Sequence, residues 1–513
     1  MTDNTTRRTG DVDALIREAA VQRRAGRMQE TIGIYRDILR LRPDLTDYWF
    51  DLALLLRQAG QPQDALEAYN GALANGIRDP QEVHLNRAVI LSDDLQRDGE
   101  AKAALEAALA ADPEYGPARL NLGNLHEERG ERDEALAQYT ILAEKAGRAG
   151  ATPGERELGT EALSRISHLA EPAYADERVL LRLKEAIEDA GLPVQTRANA
   201  AFALGRALDA AGEPERAFAA IDTANSLARQ GGPAYDPART ERFVEALIAA
   251  TQAPARRAVP EERGALQPVF ICGLFRSGST LIERVLAAHD TVTAGGELAY
   301  LPRLAATALS PFPATLAALD DVRASEFARG YQAHLEALFP EAAAAGGIVI
   351  DKRPDNFLLI GLIKRLFPGA KIVHTVRHPL DTGLSVYFQH LDQRVAGYSS
   401  DLAAIGHYFG QYRRLMAHWK RLWPDSIFDL DYDHFVVDPQ TSLRSLFGFL
   451  DLEWDAACLD FHERPQTVRT ASYWQVRRPL YRSASGRWRP YGRQLEPLRH
   501  ALLAAGLSEN ELA

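Results

Sequence analysis

Residues 268–297 read PVFICGLFRSGSTLIERVLAAHDTVTAGGE, and the chain is understood from here outward. Residues 269–272 are a short apolar run with the length of a buried parallel strand. Gly273 breaks the run, residues 275–280 form a loop, and residues 281–288 have the apolar spacing of a helix. Strand, glycine loop and helix in that order aim backbone N–H groups and a helix N-terminus at one anion. Gly273 and Gly278, followed by Ser279 and Thr280, have the spacing of a phosphate loop, G-x4-G-K-[ST], with Ser279 where the lysine would stand. Without that lysine, and with Arg276 inside the loop instead, the expectation is a loop that binds phosphate but is poorly equipped for ATP hydrolysis.

Downstream, apolar runs at 347–351 (GIVID), 371–377 (KIVHTVR) and 427–432 (IFDLDY) alternate with helical patterns at 356–367 and 401–423. The alternation predicts a P-loop-like three-layer α/β domain, a parallel sheet with helices on both faces. Ligands belong at the carboxyl ends of such strands, where Arg276, Lys352 and Arg377 fall. In 372–388 (IVHTVRHPLDTGLSVYF), Arg377 ends a strand and Pro379 suits a first helical turn, where Asp381 complements the helix dipole. Ser385 follows eight residues after Arg377, and an arginine fork beside a hydroxyl is good chemistry for a phosphate. The stretch 464–493 holds eight arginines and no acid, interleaved with Tyr473, Trp474, Tyr481 and Trp488. Such interleaving can bind nucleic acid. No other nucleic-acid signature accompanies it, so no nucleic-acid partner is expected.

The N-terminal half has a different texture. From about residue 12 to 229 it is rich in alanine and leucine, and it repeats: Tyr35 and Tyr69 are 34 residues apart, as are Gly26 and Gly60. This period resembles that of tetratricopeptide repeats, and predicts an N-terminal α-solenoid. Carried over, the pattern marks Trp49, Leu52, Ala53, Ala65, Tyr69 and Ala72 in one unit. Leu122, Gly123, Ala135 and Tyr139 mark another, and Leu204, Gly205, Ala217 and Ala224 a later one. The unit around 86–113 fits only with one inserted residue. These are packing positions, small where helices approach and large where gaps are filled. The expected layout is a disordered tail at 1–10, repeats over 11–230, a linker at 231–265 rich in Gly, Pro and charge, and the α/β domain over 266–505. A solenoid of this kind implies a peptide or protein partner.

At 513 residues with a formal net charge of −11, the chain is no general polyanion binder, so an anionic nucleotide needs a local basic pocket. Cys272 and Cys458 are the only cysteines, which argues against a disulfide framework and for a reducing compartment. No apolar leader or run of 18 apolar residues is present, so the expectation is a cytoplasmic protein without a membrane span.

The spelling GLFRSGSTLIERVLAAH closely resembles the 5′-phosphosulfate loop of sulfotransferases that use 3′-phosphoadenosine 5′-phosphosulfate (PAPS), nearest the tyrosylprotein sulfotransferase-like group. The resemblance implies that Arg276, Ser277, Gly278, Ser279 and Thr280 hold the 5′-phosphosulfate. It also matches Arg377, Pro379, Asp381 and Ser385 to the family's 3′-phosphate motif, and Lys352 to a lysine at the sulfuryl group. Glu297, in AGGEL, matches the family's glutamate base. On composition alone a lone glutamate in an acidic chain is usually a surface residue. Tyr432 matches an adenine-side tyrosine, and Ser472 and Arg487 a closing C-terminal segment, where Gly486 replaces a serine of some relatives. His378 is a weaker rival base; His289 suits a helix end and His374 the sheet. What the resemblance implies is sulfuryl transfer from PAPS, without a metal, to a hydroxyl: a protein tyrosine, or alternatively a glycan, lipid or metabolite. A P-loop kinase and a non-enzymatic repeat scaffold are the rivals from other classes.

Overall fold

The computed structural model describes residues 2–169, 177–253, 266–463 and 479–513, with side chains from Val12 onward. Two compact units divide the chain, one comprising residues 1–127 and 131–162, the other 128–130 and 163–513.

The second unit is built on a sheet. Among the described residues it has five strands: β1 (Gln267–Gly273), β2 (Val292–Ala294), β3 (Ile348–Lys352), β4 (Lys371–Val376) and β5 (Ile427–Asp431). Their order is β2-β3-β1-β4-β5 and every pairing is parallel. β1 and β3 are buried along almost their whole length, as strands covered on both faces must be. Val269, Ile271, Ile350 and Val373 pack with Ile282 and Leu286 of the helix Ser279–Leu286 and with Phe447 of the helix Pro439–Leu450. β2 was not expected; three residues at a sheet edge are too few to show a strand period. Because all strands run one way, all five carboxyl ends lie along one edge.

The first unit is a row of helical hairpins. The helices Thr46–Gln58 and Pro62–Ala74 pair, as do Pro80–Val89 and Asp98–Ala111. A Cβ on Gly71 would stand 2.6 Å from the Trp49 ring, and one on Gly123 2.5 Å from Tyr139, so small residues admit the neighbouring aromatic. Leu52, Ala53, Ala65, Tyr69, Ala72, Leu122, Ala135 and Tyr139 are all buried. The one-residue insertion has a physical form. Residues Ile90–Asp94 are a π-helical turn, whose wider ring takes up an extra residue without breaking the helix. The helix Thr2–Arg24 takes in the stretch expected as a tail and carries Arg23 and Arg24 in its last turn, where basic side chains complement the helix dipole.

The last repeat-patterned helices, Val194–Ala210 and Pro214–Gln230, belong to the unit that holds the sheet. The stretch expected as a linker contains a helix, Pro237–Ala250, started by Pro237 and by Asp236, whose side chain accepts from Arg239 N–H. Its neighbour Tyr235 bonds His407 on the helix Leu402–Leu422, at 2.8 Å. The unit runs past residue 505, since Leu507 and Leu512 are buried.

Candidate active site

Each strand delivers one functional group to the common edge. In sheet order these are Glu297 just past β2, Lys352 at the end of β3, the loop 274–278 after β1, Arg377 after β4 and Tyr432 after β5. With strands about 4.8 Å apart, the row spans roughly 19 Å.

The loop after β1 is a tight cradle. Arg276 has φ +71° and Gly278 φ +101°, left-handed values that curl the chain into the helix Ser279–Leu286. A Cβ on Gly278 would stand 2.6 Å from the Tyr432 ring, and one on Gly273 2.5 Å from Thr375 Oγ1. Ser277 Oγ donates to Leu274 O at 2.7 Å and meets Thr375 Oγ1 at 2.7 Å. The Ser277 hydroxyl therefore frames the loop from within. Ser279 and Thr280 open the helix, where the first N–H groups have no intrahelical acceptor.

Two groups from beyond β4, Ser385 and Arg377, close over this loop at Arg276. Arg276 Nε donates to Ser385 Oγ at 3.0 Å, and Arg377 Nη1 donates to Arg276 O at 3.1 Å. The Arg377 guanidinium lies 4.9 Å from the centre of the Tyr432 ring. Burial, with the charge of Arg377 beside it, pulls the Arg276 guanidinium down to about 10. Arg377 Nε is buried with no hydrogen-bond partner among the described residues.

At the other end of the row, Lys352 is fully buried and its Nζ donates to Glu297 Oε1 at 2.7 Å. The Glu297 side chain keeps 37% of its exposure, so it faces both the lysine and solvent.

A family model described as the sulfotransferase family matches residues 268–456. This segment is a sulfotransferase-family domain. Over 337 residues the chain is 32% identical to an uncharacterized protein of Aquifex aeolicus, covering 63% of this chain and 43% of that one. Over 209 residues it is 25% identical to protein-tyrosine sulfotransferase 1 of Danio rerio, covering 38% of this chain and 56% of the relative. The chain thus spans about half the length of these two relatives. Among solved structures, the sulfotransferase domain of a Synechococcus olefin synthase aligns with 50% of this chain and all of its own, at 20% identity and a TM-score of 0.34.

PAPS is an elongated polyanion, and the residues of the sulfotransferase domain fit one. The cradle has no room for a Cβ, burial and then a second guanidinium depress the Arg276 pKa, and Arg377 Nε lies buried without an acceptor among the described residues. Among the described residues no cluster of His, Cys, Asp or Glu is arranged to hold a metal ion.

Other expected residues fall elsewhere. Arg487 Nη2 pairs with Asp209 at 2.5 Å and its guanidinium lies over Phe388, so it points to a repeat-patterned helix. Ser472 lies outside the described residues. His374 is in the sheet, bonded to Asp429 at 2.8 Å and to Tyr412. His378 stacks on Trp488, ring centres 5.7 Å apart, and burial lowers its pKa.

Sequence reading missed the carboxylates that dock the C-terminal segment. Asp381 complements its helix, but it is also buried and accepts from Gly486 N at 2.6 Å and Trp488 N at 2.9 Å. Asp433 accepts from His378 N at 2.7 Å and from Ser485 Oγ. No local pattern marks such residues, since their partners lie 52 to 107 positions away.

Proposed function

We propose that the unit holding the sheet transfers a sulfuryl group from PAPS to an acceptor hydroxyl, and that this hydroxyl belongs to a tyrosine of a peptide or protein. The observation that carries the reading is the Lys352–Glu297 pair beside the arginine-lined loop, on one sheet edge. The name of the Danio rerio relative supports the tyrosine acceptor.

The donor, when bound, supplies an activated sulfuryl group on a good leaving phosphate. The loop N–H groups, Arg276 and the hydroxyls of Ser279 and Thr280 bind its 5′ side, and Arg377 with Ser385 its 3′-phosphate. Tyr432 borders the nucleotide. Lys352 Nζ lies next to the loop strand and stabilises charge that grows on the departing oxygen. Glu297 Oε, reachable from solvent, takes the proton of the acceptor hydroxyl. Oε1 is the oxygen paired with Lys352, which leaves Oε2 for that proton.

Calorimetric titration with 3′-phosphoadenosine 5′-phosphate, the expected product, beside Mg·ATP tests the reading. Micromolar or tighter binding of the former, lost in Arg377→Ala, is the expected outcome. Preference for Mg·ATP would replace a sulfotransferase with a kinase, although Ser279 at the lysine position of the loop disfavours that.

A further inference from the structure

Lys352 lies between two carboxylates, only one of which the reaction uses. Glu283 is on the helix Ser279–Leu286, three residues past Thr280, with its side chain 7% exposed. Its Oε1 accepts the Gly296 N–H at 2.8 Å, and its Oε2 stands 3.9 Å from Lys352 Nζ. We infer that Glu283 is a positioning residue that remains the counter-ion of Lys352 when Glu297 takes a proton, and that it fixes the turn carrying Glu297 through Gly296.

The inference rests on the sulfotransferase reading and follows from charge. An ammonium with no exposed surface must be paired, because an isolated buried charge is far costlier than a paired one. Glu297 supplies that pairing at rest. Once Glu297 accepts a proton it is neutral, and the only other carboxylate near Lys352 Nζ among the described residues is Glu283. Glu283 is withdrawn from the mouth of the site, so the acceptor hydroxyl reaches Glu297 and not Glu283. The charges acting on Glu283 are Lys352 from β3, Glu297 from the turn after β2, and Arg284 on its own helix. Burial raises the Glu283 carboxyl, and Lys352 and the Gly296 N–H oppose the rise.

The test uses the full-length chain as wild type, Glu283→Gln, Glu297→Gln and the double variant, followed by thermal unfolding. The glutamines keep shape and remove charge, and the double variant leaves Lys352 with neither carboxylate. Its melting temperature should fall by about 5 °C or more beyond the sum of the single shifts. Adding Lys352→Met to the double variant should recover at least half of that loss. If the double variant fails to fold, a folded triple variant still supports the inference. Additive shifts overturn it, and so does a triple variant no better than the double. In turnover, Glu283→Gln should lower kcat about 10-fold or more and move the acid limb of its pH profile downward, because a negative neighbour of Glu297 is gone. Glu283→Asp should restore most of both. Wild-type kcat and pH profile in Glu283→Gln overturn the inference. Failure of the wild type to bind 3′-phosphoadenosine 5′-phosphate ends the donor reading instead, while the unfolding cycle still decides the charge sharing.

Discussion

Arg276 Nε donates to Ser385 Oγ at 3.0 Å, joining the loop after β1 to the helix that follows β4 across 109 residues of sequence. Two motifs that are separate in the sequence thus meet in space, as the proposed anion site requires. Ser385→Ala leaves a buried guanidinium N–H without its acceptor and should weaken binding of 3′-phosphoadenosine 5′-phosphate about 5- to 20-fold, equivalent to about 1–2 kcal/mol. Arg276→Ala removes the charge itself and should cost about 100-fold or more. Calorimetry on both variants decides: equal, small effects would mean that the pair frames the loop and does not meet the ligand.

Glu297, the proposed base, lets binding be tested apart from chemistry. Glu297→Gln should reduce kcat about 100-fold or more, since a general base contributes about 10²–10⁴. Affinity for 3′-phosphoadenosine 5′-phosphate should stay the same or tighten, because a negative charge beside the proposed anion site is lost. Near-normal kcat in this variant would remove Glu297 from the base role.

Asp351 gives a prediction for stability against pH. It is buried in β3, accepts from Tyr331 OH at 2.9 Å, and burial pushes its carboxyl up to about 7 from an ordinary 3.8. A folded-state pKa above the unfolded value means that the folded protein holds the extra proton. The associated stability is therefore complete below about pH 4 and is lost as pH rises through about 7. Asp351→Asn has no such proton to lose, so its melting temperature relative to wild type should be higher at pH 8 than at pH 5. A difference independent of pH would show that Asp351 does not titrate in this range.

The parts of the site that sequence made legible are those in which local order and spatial order coincide. Strand, loop and helix around Gly273 and Gly278 are contiguous, and parallel strands carry Lys352 and Arg377 to the edge without further information. Residues whose partners are remote were not legible. Glu283 reads as one charge on an amphipathic helix until Gly296 and Lys352 are brought against it. Ser277 belongs to the motif, yet its hydroxyl turns inward to Thr375, a contact set by the pairing of β1 with β4. The helices 194–230 carry the repeat pattern because they pack as a hairpin. The same pattern is silent on which side of a domain boundary they fall, since that depends on what covers their other face.

That other face leads to a prediction about where the chain can be cut. Asn225 is buried and donates to Tyr387 O at 2.9 Å, and Tyr387 OH donates to Asp222 Oδ1 at 2.7 Å. Phe218 packs on Tyr387, Phe388 and Tyr491, Phe202 stacks on His390 at 4.9 Å, and Asp209 holds both Arg487 and Tyr491. Tyr387 lies two residues from Ser385, so these helices brace the segment that carries the hydroxyl proposed for the 3′-phosphate. Deleting them would uncover three large aromatic residues, each worth about 1.5–3 kcal/mol of burial, against a total stability of about 5–15 kcal/mol. A chain starting at residue 163 should be soluble and unfold cooperatively, whereas one starting at residue 231 should aggregate or melt at least 10 °C lower, as expected for a loss of several kcal/mol. Equal melting temperatures and equal nucleotide affinity for the two would show that the helices 194–230 are an appendage to the sulfotransferase domain and no part of its support.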